Sequence, residues 1–240
     1  MQVVQSGLCL GKLCEYLGGY GLEIEEISDV SEIPNLVKAA QKPYLTPLSS
    51  PEFNDFTWSN SIWLVAKRAG QPVYLGCARL EDIGGEPIES YWSRTFSRAY
   101  GHGFTKQIIG NVRPEITRNL KGRLVYFGDL FVCETERGSR NKLRAFIAIG
   151  QLAAVLKWNP DWIYCFVRKR DIMRGASALY GFNRNFGPPF DWVGTPPAPR
   201  DRSEWLVGVS REDLPVFLNE TTQEVVELKG CSSDNEKAKV

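Results

Sequence analysis

Residues 140–157, RNKLRAFIAIGQLAAVLK, constrain the fold more than any other stretch. Past its first residues this segment is apolar almost all the way round a helix, so it needs cover on most of its sides rather than along one stripe. Such a helix belongs inside a layered domain, packed against a sheet. Its start has the opposite character: Arg137, Arg140 and Lys142 surround Gly138, Ser139 and Asn141. Free backbone amides at a helix start, with three cations beside them, form a place where an anion can sit.

The flanking segments supply the sheet. LVYFGDLFVCE (124–134) and DWIYCFVRK (161–169) are short and rich in β-branched and aromatic residues, which favours strands. Upstream, SIWLVAKRAGQPVYLGCARLEDI carries two β-rich runs around RAGQP, the pattern of a hairpin. SEWLVGVSRED predicts a late strand, and DIMRGASALYGF a short helix with Asp171 as its N-cap. Short helices are expected near 8–17 and in SEIPNLVKAAQKPY. In 86–120, Trp92, Phe96 and Tyr100 recur every fourth residue as one helical stripe, with Arg94 and Arg98 off it. The expected fold is α/β: a mixed, mostly antiparallel central sheet with helices on both faces. Residues 1–228 read as one domain, 86–120 as an insertion between hairpin and central strand, and 229–240 as a disordered tail.

Composition narrows the chemistry. Lys+Arg 29 against Asp+Glu 28 gives a formal charge of +1, well short of the basic bias of a nucleic-acid binder. Six cysteines without a CxxC pair, and one histidine, predict neither a metal site nor a disulfide framework. Cys133 and Cys165 lie in apolar runs and read as buried thiols. No run approaches the ~18 apolar residues of a membrane span, and the first residues lack the pattern of a secretion signal. A cytoplasmic protein is expected, with no membrane or nucleic-acid partner.

LFVCETERGSRNKL resembles the acyl-CoA-binding motif of the GNAT acyltransferase superfamily, a central strand ending in valine, four residues, then Arg-Gly opening a helix. Val132 and Arg137-Gly138 hold that spacing, while Arg140 and Lys142 stand where the family has glycines. ASALYGF resembles its second signature, Ala-x-x-Leu-Tyr followed by Gly-Phe. The resemblance covers roughly residues 60–210 and implies a GNAT-like fold. It also implies an acyl-CoA, acetyl-CoA foremost, as co-substrate rather than a permanently bound cofactor, and an amine, on a small molecule or peptide, as acceptor. The backbone near Leu130, Phe131 and Val132 would hold the pantetheine arm and the thioester carbonyl. The turn Arg137, Gly138, Ser139, Arg140, Asn141 and Lys142 would hold the pyrophosphate.

Within that resemblance, Tyr180 is the candidate acid for the leaving thiolate. Asp129 is the candidate base for the amine, because a carboxylate inside an apolar strand is costly without a task or a partner. His102, in the loop AYGHGF, is a weaker candidate. Two alternatives stay open. GCARL and the 86–120 insertion resemble acyl-homoserine-lactone synthases and N-acyl amino acid synthases, which use acyl carrier protein. Arg94, Arg98, Lys106, Arg113, Arg118 and Arg123 would then form its docking face. The other alternative is a non-catalytic module that keeps the fold for ligand or protein binding. Oligomeric state is left open, a homodimer among the options.

Overall fold

The computed structural model describes residues 3–81, 83–101 and 105–237, with side chains as far as Glu227. The chain opens with helix α1 (Val3–Gly18), strand β1 (Glu23–Ile27) and helix α2 (Ile33–Ala39), followed by the hairpin β2 (Ser61–Arg68) and β3 (Gln71–Glu81). The insertion contributes α3 (Ile88–Tyr100), β4 (Ile109–Val112) and α4 (Pro114–Thr117). The central strand β5 (Leu124–Val132) leads into α5 (Arg140–Trp158) and β6 (Trp162–Arg168). Two single turns, α6 (Lys169–Ile172) and α7 (Ala176–Leu179), then short strands β7 (Arg184–Phe186) and β8 (Phe190–Trp192) lead to β9 (Glu204–Ser210) and helix α8 (Leu214–Lys237).

Seven strands form one sheet in the order β1-β2-β3-β5-β6-β9-β7, while β4 pairs with β8 in a separate two-stranded ribbon. All neighbours in the large sheet are antiparallel except β5 and β6. That exception follows from connectivity, because α5 carries the chain back so that β6 starts at the same end as β5. The hairpin turn falls where RAGQP predicts it, with Ala69 and Gly70 both at positive φ, the backbone that a tight hairpin needs.

The helices cover both faces, as expected. On one face α5 packs against β2 and β3 and is itself flanked by α1 and α8. Glycines set its close approach: a Cβ at Gly150 would lie 2.9 Å from the Phe127 ring. On the other face α2 contributes Ile33, Val37 and Ala40 to a cluster with Trp63, Val65, Leu75 and Cys77. The Trp92–Phe96 stripe of α3 is buried and meets Tyr164, Phe166 and Phe190 edge-on or tilted. Helix α5 ends at Asn159, which takes the left-handed conformation and donates its amide to the Val155 carbonyl at 2.9 Å, a cap that the following Pro160 completes.

Several elements differ from the sequence reading. DIMRGASALYGF does not make one helix: Gly175, at φ +85°, divides α6 from α7, and the N-cap of α6 is Arg168, not Asp171. Cys165 is buried as expected, but Cys133 is only half-buried, because β5 has already ended at Val132. Strands β1, β4, β7 and β8 are too short or too polar to show an alternating pattern. Helix α8 runs on into the stretch 229–240 read as a tail, whose last three residues lie outside the described residues.

A polar seam crosses the core beneath α3. Arg79 and Glu81, both buried on β3, are ion-paired. Arg79 Nη1 also donates to the Leu48 carbonyl (2.6 Å) and Asn54 (3.0 Å). Tyr164 donates to Glu81, and Trp92 Nε1 donates to the Tyr164 hydroxyl at 2.8 Å. Removing one partner of a buried pair strands the other charge, which costs about 3–5 kcal/mol. Glu81→Ala should lose stability on that scale in urea denaturation; a loss below about 1 kcal/mol would show that the seam is wet and weakly coupled.

Candidate active site

The parallel pair is the origin of the site. β5 and β6 are in register only at Leu124–Trp162, Val125–Ile163 and Tyr126–Tyr164. Beyond Tyr126 the strands part, and the edge of β5 that faces β6 has no strand partner. On its other edge β5 stays paired with β3, but with a bulge: Cys77 pairs with Gly128 and Leu75 with Phe131. Two steps on β3 therefore match three on β5, and the extra residue re-aims the strand. Asp129 sits in the bulge at φ +56°. Gly128 is required beside it, because a Cβ there would lie 2.6 Å from the ring of Tyr126.

A cavity of about 280 Å³ fills the gap between the parted strands, and Tyr126, Asp129, Leu130, Tyr180, Arg200 and Glu204 are among the residues that line it. The structure therefore brings together Asp129 and Tyr180, residues 51 positions apart in sequence. They have different surroundings. Asp129 Oδ1 accepts from Lys42 Nζ (3.1 Å), from the Thr46 amide (3.1 Å) and from the Thr46 hydroxyl. Its side chain is 1% exposed, and that of Lys42 is 5% exposed. Through Oδ1 the carboxylate ties the 42–46 segment across the bulge, the partnering the sequence left open beside the role of base, while its buried Oδ2 has no hydrogen-bond partner among the described residues.

Tyr180 is held by backbone. Its carbonyl accepts from Gln151 Nε2 of α5 at 2.9 Å, and Gly181 follows at φ +75° with Phe217 packed where a Cβ would go. This is why the Leu-Tyr-Gly-Phe element needs its glycine. Burial pushes the Tyr180 phenol up to about 12, so the hydroxyl keeps its proton at neutral pH.

The basic turn is less free than its sequence suggests. Arg137 is exposed and pairs with Glu134 at 3.1 Å. Lys142 Nζ lies 2.5 Å from Glu136, whose buried carboxylate also binds Arg68 at 2.5 Å; these cations hold it below the usual carboxylate range. Arg140 has no hydrogen-bond or ion-pair partner among the described residues. Gly138 takes φ +95°, and Ser139 caps α5 without a side-chain hydrogen bond. The amides of Arg140, Asn141 and Lys142 therefore begin a 19-residue helix with no acidic residue in its first turn, the polarity that favours an anion. Leu130, Phe131 and Val132 form the end of β5 leading to this turn.

The expected docking face fares differently. Arg94 pairs with Glu86, Arg98 with Asp55 and Arg113 with Asp191, while Arg123 donates to the Trp158 carbonyl. The first three are surface ion pairs that leave the face locally charge-compensated, while Lys106 and Arg118 have no such partner among the described residues. His102 lies outside the described residues.

Two cavity residues were missed by the sequence reading. Glu204 opens β9, and its carboxyl is raised by burial, against the lowering effect of the Arg200 charge. Arg200 Nη2 lies 2.8 Å from Glu204 Oε2, yet neither atom reaches hydrogen-bond angles, and Arg200 Nε has no partner either. The available signal was an acid heading an apolar strand, the feature that singled out Asp129. Among the described residues no group of acids, cysteines or histidines is arranged to hold a metal ion, and no helix is long and apolar enough to cross a membrane.

Neither a protein-family model nor a curated protein matches the sequence. Solved structures similar to it include a Drosophila melanogaster polyamine N-acetyltransferase that forms N-acetylagmatine, at 16% identity and TM-score 0.48, covering 79% of this chain and 99% of that one. An N-acyl amino acid synthase from uncultured soil microbes is similar at 9% identity and TM-score 0.46, covering 82% and 92%. Arabidopsis thaliana NAA60 in complex with acetyl-CoA is similar at 13% identity and TM-score 0.44, covering 79% and 98%.

Proposed function

We propose that the protein is a GNAT-like N-acyltransferase that moves an acyl group from an acyl-CoA to an amine. The observation that carries this reading is the edge of β5 that has no strand partner beyond Tyr126, on a strand that leads through the 133–139 turn to the helix start at Arg140. A thioester lying along that edge would have its carbonyl beside backbone amides near Leu130 and its phosphates at the first turn of α5. Fixed amides aimed at a developing oxyanion are the main electrostatic device of acyl transfer.

The remaining steps are two proton transfers. The amine nitrogen attacks the thioester carbon, a C–N bond forms, and the C–S bond breaks as the tetrahedral intermediate collapses. Glu204, its carboxyl raised by burial, takes the proton that the nitrogen sheds, in preference to Asp129, which is ion-paired with Lys42. Tyr180 gives its phenolic proton to the departing thiolate. A carboxyl raised by burial is a better base near neutral pH than an ordinary one. The open start of α5 favours coenzyme A, which brings a pyrophosphate, as donor.

Arg140→Ala should weaken coenzyme A binding at least tenfold, about 1.4 kcal/mol, while Arg137→Ala, paired and exposed, changes it less; equal calorimetric affinity in Arg140→Ala would remove this turn from the donor site. Tyr180→Phe should lower kcat by about 10²–10⁴ with donor affinity retained; full turnover at every pH would make Tyr180 a packing residue. Because Glu204 must be ionised to act, activity should fall as pH drops through its raised pKa. That limb should lie above the usual carboxylate value of about 4.3 and vanish from the pH–kcat profile of Glu204→Gln. An unchanged limb in that variant would assign the base elsewhere.

A further inference from the structure

The guanidinium of Arg200 is buried with part of its hydrogen-bonding capacity unused. Its side chain is 5% exposed, and it lines the cavity. Two rings lie to one side of it: its central carbon is 5.7 Å from the Phe96 centroid and 5.3 Å from that of Phe166, and the two centroids are 5.8 Å apart. Nε and Nη2, the two nitrogens of its side-on fork, have no hydrogen-bond partner among the described residues. Glu204 Oε2 lies 2.8 Å from Nη2 and is also without one. An arginine fork of this kind matches the two oxygens of a carboxylate, and leaving it empty in a buried place is costly.

From this geometry, and resting on the acyl-transfer reading for the identity of the site, we propose that the acceptor is an α-amino acid, its carboxylate held by the Nε–Nη2 fork of Arg200 and its amine by Glu204. The spacing is the argument. A cation and an anion side by side complement a zwitterion whose own charges are one carbon apart, each protein charge facing the opposite charge of the ligand. The neighbouring Glu204 also selects the class of anion, since a dianionic phosphate set against that carboxylate would meet far more repulsion than a monoanion. The cavity, about 280 Å³, is on the scale of a small molecule rather than of a folded partner. Arg168 donates to the Pro199 carbonyl at 2.9 Å, which fixes the backbone just before the fork.

The test is binding, so it does not depend on turnover. The proteinogenic L-amino acids and their α-amides are titrated into the protein by calorimetry; each pair differs only in the carboxylate. At least one acid should bind tenfold or more tightly than its amide, and Arg200→Lys, which keeps the charge but loses the fork, should bring that ratio below about threefold. Equal binding of acids and amides, binding by no acid, or a preserved ratio in Arg200→Lys would each overturn the proposal. If Arg200→Lys fails to fold, the acid–amide comparison on the unaltered protein decides. Thiol release from acetyl-CoA separates the two readings. Amino acid binding without release under any condition would end the acyl-transfer reading and leave the zwitterion site standing. Release with amines that lack a carboxylate, at kcat/KM equal to their amino acid counterparts, would do the reverse.

Discussion

The parting of β5 from β6 after Tyr126 is the constraint on which the rest of the structure depends. A sheet in which every strand stayed paired would have no free peptide groups and no room between its central strands. Here the aromatic rings of Tyr126, Tyr164 and Phe166 crowd the last shared register. The bulge then turns β5 aside while its ladder to β3 resumes at Phe131. The Lys42–Asp129–Thr46 cluster holds the bulge from outside, so the gap is a built feature and not a frayed edge. Non-glycine residues at positive φ are uncommon, and Asp129 occupies one with its carboxylate bound to a segment distant in sequence.

Around this gap the chain arranges opposite demands. The amides of α5 and of the open β5 edge favour negative charge, whereas Glu204 and the Tyr180 phenol have proton affinities raised by burial. Placing donors for an anion next to groups that hold protons is what a reaction with a developing oxyanion and two proton transfers asks for. The same burial that would penalise an isolated carboxylate thus tunes Glu204 toward neutral pH.

Much of the framework was legible because the elements that form it are periodic and long. Strands β2, β3, β5, β6 and β9 and helix α5 stand where the apolar runs put them, and the Trp92–Phe96 stripe faces the core. The short strands and the α6–α7 break were not legible, since Gly175 acts through a backbone angle that leaves no hydrophobic pattern. In the site, Asp129 and Tyr180 were found because a charge in an apolar strand and a Leu-Tyr-Gly-Phe element are local signals. Arg200 and Glu204 were not, because their meaning lies in which rings and which cavity surround them. The pairing of Arg94, Arg98 and Arg113 was equally invisible, for their acidic partners lie 8, 43 and 78 positions away.

The polar seam beneath α3 has a bearing on how this chain can change. Trp92, from the insertion, supplies the last donor of a chain that ends on the Arg79–Glu81 pair of the hairpin. The insertion is therefore not a detachable ornament on a smaller fold. Shortening it would open two buried charges to a half-wet boundary, so a compact descendant must exchange Arg79, Glu81 and Trp92 together. Intermediates that change Arg79 or Glu81 alone pass through a state with an uncompensated charge in the core, which makes this segment a ratchet in sequence space.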